Sequence, residues 1–140
     1  MTVSATEVPP LVRASVDRFV AFLEVGATEG LFAPDVFADI TLPQWRVQAV
    51  LRGDRLLSAL HLHPPAGRTR VEKVLPAECG YALTVEERWE DSGQRWYCRE
   101  VVLCELDDEG RITEFSAYCT GDWDEAAVAR HAESVTLLRP

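Results

Sequence analysis

The chain has 140 residues, of which 47% are apolar, and a formal net charge of −9. This length suits a single domain over residues 1–140 with a core of its own, and the apolar content excludes a disordered protein. No apolar run approaches the roughly 18 residues needed to cross a bilayer, and the acidic balance disfavours nucleic acid and membranes as partners. The first ten residues lack a secretion-signal pattern, so we expect a cytoplasmic protein.

The first third of the chain combines a helical period with two short strands. Apolar residues at the spacing of one helix face predict an amphipathic helix over Leu11–Val25, which Gly26 ends. A short helical turn is expected over Thr28–Phe32. Strands are then expected over Val36–Leu42 and Trp45–Leu51.

A further helix is predicted from Asp54, which has the residue type of an N-cap. His61 and His63 would lie near the end of this helix. Side chains at positions i and i+2 of a helix point in roughly opposite directions, so the two histidines are not expected to chelate one ion. We therefore expect no metal site here.

From Thr69 onward the apolar period changes to two, which indicates strands. A last helix is expected over Trp123–Ala132, with Asp122 and Glu125 as its capping box. Helices followed by an antiparallel meander predict the α+β class, with helices packed on one face of a curved sheet. The meander has four strands, over Val71–Leu75, Tyr81–Glu90, Arg95–Leu106 and Arg111–Thr120, and its turns are Ser92-Gly93 and Glu109-Gly110.

One face of this sheet is predicted to be solvated. A two-residue turn at Ser92-Gly93 places Glu86 opposite Arg99 and Glu90 opposite Arg95. These are expected to be cross-strand ion pairs, each contributing less than about 1 kcal/mol.

The other face is apolar except for two carboxylates and two thiols. Glu87 and Glu100 are diagonal neighbours there, and a second two-residue turn would place Cys119 beside Glu100. Two carboxyl groups in one desolvated site push one pKa upward, which makes a general acid–base pair possible. The alternative is that both lie at an open rim of the sheet, or pair with an arginine from a helix.

The cysteines are expected to be free thiols, because the chain lacks an export signal and CxxC spacing. Nearby carboxylates should raise the pKa of Cys98 and of Cys119. A cysteine nucleophile is therefore not expected.

The solvated face also carries apolar residues, a patch large enough to favour a partner. We expect a homodimer through this outer face of the sheet. The residues of the patch are Tyr97, Val101, Leu103, Ile112 and Tyr118.

Three segments together resemble the nuclear transport factor 2-like superfamily, in its bacterial SnoaL-like branch. They are Val16–Glu24 with Leu31-Phe32 and Val36–Ile40, then Arg52–Leu57, then Asp107–Tyr118. The resemblance implies a cone-shaped, strongly bent antiparallel sheet wrapped around N-terminal helices, with an internal pocket. It also implies dimerisation through the outer sheet face. Superfamily members include ketosteroid isomerases, epoxide hydrolases and polyketide cyclases, and also proteins that only bind ligands.

The resemblance carries over few catalytic residues. Phe19, Leu42 and Val102 stand where ketosteroid isomerases have polar groups, so that mechanism is not supported. SnoaL-like cyclases use an aspartate near the end of the sheet as a base, and Asp122 lies in that neighbourhood. The match at Val102 implies that its face lines the cavity, which places Glu87 and Glu100 inside it.

We therefore expect a small-molecule enzyme that needs no cofactor and performs proton transfer on a hydrophobic metabolite. Its candidate catalytic residues are Glu87, Glu100 and Asp122. The alternatives are a non-catalytic ligand-binding module of the same fold and a structural protein whose side chains fill the cavity. The candidate lining residues are Phe19, Leu42, Trp45, Val85, Trp89, Trp96, Cys98, Val102, Cys104, Phe115 and Cys119.

Overall fold

The computed structural model describes residues 7–52 and 67–139. These ranges contain two helices and six strands. The helices are α1 (Pro10–Val25) and α2 (Glu125–Ser134), and the strands are β1 (Phe32–Leu42), β2 (Trp45–Leu51), β3 (Gly67–Ala77), β4 (Gly80–Asp91), β5 (Gln94–Leu106) and β6 (Ile112–Cys119).

The strands form one sheet in the order β2-β1-β6-β5-β4-β3. Neighbouring strands are antiparallel except for β1 and β6, which run parallel. The predicted α+β class is confirmed, whereas the parallel pair differs from the antiparallel sheet that we expected. Turn signals predict only the pairing of strands that follow each other, whereas four strands, β2 to β5, lie between β1 and β6 in the sequence.

Helix α1 covers one face of the sheet with its apolar side, as predicted. Gly26 ends the helix with φ at 75°, and its N–H donates to the Phe22 carbonyl. The ring of Phe19 packs edge-on against Phe115 of β6, with centroids 6.2 Å apart. Each such fully buried side chain stabilises the fold by about 1.5–3 kcal/mol. The buried residues of α1 are Val12, Ser15, Val16, Phe19, Phe22 and Leu23.

The turn between β4 and β5 sets the register of the central hairpin. Ser92 and Gly93 both have positive φ, 54° and 74°, which matches the right-handed twist of the flanking strands. The register follows from this two-residue turn, with Glu87 opposite Cys98. The predicted pairing of β4 with β5 is therefore confirmed.

The β5–β6 connection differs from the predicted two-residue turn. Leu106 pairs with Ile112 whereas Glu105 pairs with Glu114, so Thr113 is an extra residue in β6. Because of this bulge, the residue before it, Ile112, faces the core and not the solvent. Ile112 is fully buried and does not belong to the solvent-facing patch in which we placed it. Beyond the bulge the predicted register holds.

Helix α2 begins two residues later than predicted, and its cap is Asp124 rather than Asp122. The Asp124 side chain accepts a hydrogen bond from the Ala127 N–H at 2.8 Å. Trp123 instead pairs with Tyr97 of β5 in an antiparallel bridge. The helix cannot begin until this extended pairing ends.

Two other predictions in the first half of the chain have different outcomes. Thr28–Phe32 is a hydrogen-bonded turn without a helix, and β1 begins at Phe32, before the predicted Val36. Strand β2 has the predicted bounds. The predicted helix from Asp54, with His61 and His63, lies outside the described residues.

Candidate functional site

Two carboxylates lie together on the face of the sheet that carries the core. Glu87 on β4 is 4% exposed, and Glu100 on β5 is partly exposed. Glu87 pairs with Cys98, and Glu100 pairs with Val85, which makes the two carboxylates diagonal neighbours. The charge of Glu87 and its contact with Glu100 both act on the pKa of Glu100. An ionised carboxylate only accepts, so a hydrogen bond between the two carboxyl groups requires a proton on one of them.

The surroundings of Glu100 favour its protonated form. Burial of the carboxyl group raises the pKa of Glu100 well above the usual range, and the charge of Glu87 adds to this. Cys119 and Asp122 act in the same direction. Glu100 therefore holds its proton to a higher pH than an ordinary glutamate does.

Two thiols lie against this pair. The Cys98 thiol donates to Glu87 Oε2 at 3.4 Å, and the hydrogen bond with Cys119, together with burial, raises the pKa of Cys98. Cys119 corrects our expectation, because its pKa is lowered. The Cys98 thiol and the Gly121 backbone both lower this pKa, and their effects outweigh burial and the nearby carboxylates.

Asp122 reaches the site through a second bulge. Beyond β6 the chain continues to pair with β5, first at Thr120 and then at Trp123. Gly121 and Asp122 thus lie opposite a single residue of β5. Asp122 is exposed, and its negative charge contributes to the raised pKa of Glu100. The bulge therefore places a third carboxylate near the pair, at a more solvated position.

Apolar side chains lie on both sides of the carboxylates. Trp89 and Trp96 form a directly opposed pair two residues from Glu87 along β4, with Trp89 buried and Trp96 partly exposed. Val85 is fully buried opposite Glu100. Together with Cys98 and Cys119, these three predicted lining residues lie beside the carboxylates.

Other predicted lining residues lie deeper in the core. Val102 follows Glu100 on the same face of β5 and is fully buried. Phe19, Cys104 and Phe115 are buried in the main hydrophobic cluster, where Cys104 lies directly opposite Phe115. Their surroundings are those of core residues.

The last two predicted lining residues, Leu42 and Trp45, form the final pair of the β1–β2 hairpin. Leu42 is partly buried, but Trp45 is 64% exposed. Trp45 is the first residue after the turn, beyond the part of the sheet that α1 covers. It does not join the buried set with which we grouped it.

One buried polar pair in the core was not predicted from the sequence. Ser15 of α1 and Tyr81 of β4 hydrogen-bond through their hydroxyl groups at 2.8 Å. Burial raises the pKa of Tyr81, so the hydroxyl stays protonated. Ser15 and Tyr81 both occupy core-facing positions in patterns that are otherwise apolar. A polar residue at such a position is the sequence feature that indicates a buried hydrogen bond.

The opposite face of the sheet carries ion pairs that differ from the predicted ones. Glu86 accepts hydrogen bonds from Tyr97 at 2.7 Å and from Arg70 Nε at 2.6 Å. Arg99, the predicted partner of Glu86, instead reaches across β4 to Glu72 of β3, with bonds of 2.7 and 2.6 Å. A bulge in β3 at Glu72 positions this carboxylate.

This outer face also has exposed apolar side chains, among them Val101, Leu103 and Tyr118. The hydroxyl of Thr84 is buried here without a hydrogen-bond partner in the described part of the chain. A depression of about 200 Å³ lies beside it, lined by Thr84, Arg99, Glu100, Val101, Tyr118 and Thr120.

Residues 7–52 and 67–139 contain no group of three or more His, Cys, Asp or Glu side chains that could hold a metal ion. In the same ranges, no helix has the length and apolar character required to span a membrane.

No protein-family model and no curated protein matches the sequence. Solved structures do match the fold. A protein from Jannaschia sp. CCS1 named a SnoaL-like polyketide cyclase has a TM-score of 0.54 and 15% identity, covering 94% of this chain and 99% of that one. An LEH-like epoxide hydrolase from M. tuberculosis has a TM-score of 0.57 and 16% identity, covering 78% and 81%.

A Δ5-3-ketosteroid isomerase from Mycobacterium sp. has a TM-score of 0.54 and 22% identity, covering 84% of this chain and 95% of that one. The likeness extends over most of the chain in each case. The chain therefore has the nuclear transport factor 2-like fold. At these identities the likeness establishes the fold alone.

Proposed function

We propose that this chain is a cofactor-independent acid–base enzyme of the SnoaL-like type that acts on a small hydrophobic metabolite. The observation that supports this most is the diagonal pair of Glu87 and Glu100 on an otherwise apolar face. Two carboxyl groups in different environments supply an acid and a base in one site. The proposed reaction classes are cyclisation, isomerisation, dehydration and epoxide opening, which all depend on proton transfer.

Each carboxyl group has a distinct proposed role. Glu100 is the general acid, because burial and the charge of Glu87 raise its pKa and keep its proton bound. It would donate this proton to a carbonyl, hydroxyl or epoxide oxygen. Glu87, oriented by the Cys98 thiol, would accept a proton from a substrate carbon or an attacking water. Asp122, which is more solvated, is the second candidate base.

The walls of the site suit a hydrophobic substrate. Trp89 and Trp96 lie beside the carboxylates, and Val85 and Val102 continue the apolar surface along the neighbouring strands. Sites of this kind bind mainly through apolar contact and orient the ligand with a few polar groups.

The names of the solved neighbours are compatible with this proposal, because they include an isomerase, a polyketide cyclase and an epoxide hydrolase. The ketosteroid isomerase mechanism is not part of it. Phe19, Leu42 and Val102 carry no polar group for that chemistry, and Phe19 and Val102 are buried in the core.

Turnover of a panel of purified probes tests the proposal. The panel contains an aliphatic epoxide, a Δ5-3-ketosteroid and a linear polyketide mimic. For a probe that turns over, Glu100→Gln should reduce kcat by about 10²–10⁴-fold, because the amide cannot donate a proton to the substrate as an acid does. Glu90→Gln is the matched control, since Glu90 lies exposed on β4, and it should retain wild-type kcat. Full activity in Glu100→Gln would remove Glu100 from the mechanism.

The second candidate function is a non-catalytic module that binds a small ligand. The carboxyl pair supports this function, because a protonated and an ionised carboxyl group together can recognise a hydroxyl or an amine. A probe that binds tightly, is recovered unchanged, and loses affinity in Glu87→Gln and Glu100→Gln would support this function over catalysis.

We also propose a homodimer through the outer face of the sheet. The exposed side chains of Val101, Leu103 and Tyr118, with the depression beside Thr84, support this contact. The proposed ligand remains a small hydrophobic molecule, with no nucleic acid or membrane partner. A single domain and a cytoplasmic location remain predictions.

A further inference from the structure

Two cysteines on different strands meet on the buried face of the sheet. Cys98 lies on β5, and Cys119 is the last residue of β6 and pairs with Glu100. The strand register makes their side chains diagonal neighbours on one face, and each thiol shifts the pKa of the other. Both thiols are free. The proposed acid–base mechanism gives neither of them a chemical step.

The two thiols differ in access and in hydrogen bonding. Cys98 is 1% exposed, and its thiol donates to Glu87 Oε2 at 3.4 Å. Cys119 is partly exposed, and the Cys98 thiol and the Gly121 backbone lower its pKa. A lowered pKa favours the thiolate, which is the nucleophilic form. Cys119 is therefore the thiol that an oxidant meets first, and Cys98 lies directly behind it.

The regular ladder between β5 and β6 ends at Cys119. Diagonal residues in a sheet are about 7–8 Å apart at Cα, slightly more than a relaxed disulfide spans. Closing a bond thus requires a small displacement of one strand end. β6 ends at Cys119, and the chain then passes through the bulge at Gly121, whose φ is 81°. Closing the bond would therefore displace a bulged segment, which pairs with β5 at Thr120 and at Trp123.

We propose that Cys98 and Cys119 are an oxidative modification site, at which a peroxide converts the two thiols to an intramolecular disulfide. The Cys119 sulfur attacks one peroxide oxygen, the O–O bond breaks, and Cys119 becomes a sulfenic acid. The Cys98 sulfur then attacks the Cys119 sulfur and expels the hydroxyl group as water. In total, two thiol hydrogens leave and one hydrogen peroxide is reduced to two waters.

The disulfide would change the neighbouring carboxyl pair. Cys98 would lose the proton that it donates to Glu87, and the end of β6 would be tied to β5 beside Glu100. The modification itself depends only on the two sulfurs. It can be tested whether or not the carboxylates perform catalysis.

Trypsin digestion resolves the disulfide directly, because each cysteine lies in its own tryptic peptide. The folded protein is treated with hydrogen peroxide, blocked with iodoacetamide and digested without reduction. We expect a cross-linked peptide of residues 96–99 with residues 112–130, and a fall from four free thiols to two. Dithiothreitol should restore all four. Cys79→Ser is the matched control and should give the same cross-link, because Cys79 is exposed and outside the pair.

Single substitutions test the order of events. Cys98→Ser should stop at a sulfenic acid on Cys119 that dimedone traps, whereas Cys119→Ser should trap none on Cys98. Phenylarsine oxide tests the same contact in the wild-type protein without any variant. It binds two adjacent thiols at once, so it should block both peptides with one arsenic and prevent the peroxide reaction.

Three results would overturn the proposal. One is peroxide treatment that leaves all four thiols free. Another is a cross-link that joins other cysteines or two molecules. The third is the failure of phenylarsine oxide to protect the pair.

Discussion

Glu100 keeps its proton more strongly in the folded chain than in the unfolded chain. We therefore expect the contribution of Glu100 to the free energy of unfolding to fall as pH rises. The pKa of this carboxyl group is raised in the folded chain above its ordinary value of 4.5. At a pH between the ordinary pKa and the raised pKa, the folded chain holds a proton that the unfolded chain has released. The stabilising effect of this proton is complete below the ordinary pKa and is lost as pH rises through the raised one.

The expected magnitude follows from one proton. A single proton bound only by the folded state gives a slope of at most about 1.4 kcal/mol of unfolding free energy per pH unit. Glu100→Gln cannot titrate, has the same size, and can still donate its amide hydrogen to Glu87. It should therefore gain stability relative to the wild type as pH rises. Glu90→Gln should remain parallel to the wild type.

Urea unfolding followed by tryptophan fluorescence measures this effect at intervals from about pH 5 to pH 8. Carboxyl groups with lowered pKa values, such as that of Glu72 beside Arg99, have the opposite dependence and lose stability only as pH falls below their ordinary value. They do not contribute in this range. A constant stability difference between Glu100→Gln and wild type at every pH would refute a raised pKa at Glu100.

Three further predictions concern packing and assembly. Gly80→Ala should destabilise the fold by at least about 3 kcal/mol in urea unfolding, because a Cβ there would lie 1.8 Å from a backbone oxygen of β5; wild-type stability would contradict this close approach. Tyr81→Phe should cost about 1–3 kcal/mol by leaving the Ser15 hydroxyl buried without its partner. Adding Ser15→Ala should recover part of that loss, and strictly additive losses would argue against the bond. Tyr118→Glu should shift the proposed dimer to a monomer in sedimentation velocity with an unchanged circular dichroism spectrum, whereas a wild-type monomer would exclude the dimer.

The central hairpin was predictable because its information is local. Ser92 and Gly93 specify a two-residue turn, and that turn fixes the register of both strands. Period-two alternation then assigns every side chain to a face. The position of Glu87 and Glu100 on the buried face follows from these two rules alone.

The errors arise where one residue is inserted into a regular pattern. A bulge at Thr113 turns Ile112 toward the core, and a second bulge after Thr120 moves the helix cap to Asp124. The bulge at Thr113 has no composition signal of its own, whereas the bulge after Thr120 contains Gly121 with φ at 81°. Period-two alternation therefore assigns side chains near a bulge to the wrong face, until the ladder becomes regular again.

The chemistry of the site depends on contacts that no local pattern contains. Charge alone predicted raised pKa values for both thiols, but the Gly121 backbone and the Cys98 thiol reverse the direction at Cys119. The bond between Ser15 and Tyr81 likewise joins α1 to β4 across the core. Such contacts require the three-dimensional positions of both partners.

The parallel contact between β1 and β6 has a consequence for the order of events on the ribosome. Ile40 lies beside Ala117, so the first hairpin meets its partner strand only after nearly the whole sequence has been synthesised. Contacts between distant residues form slowly because a long loop must close first. The β4–β5 hairpin, in contrast, closes over two residues and can form early. Until the last strand is complete, β1 has one open backbone edge, at which the emerging chain can pair with another molecule.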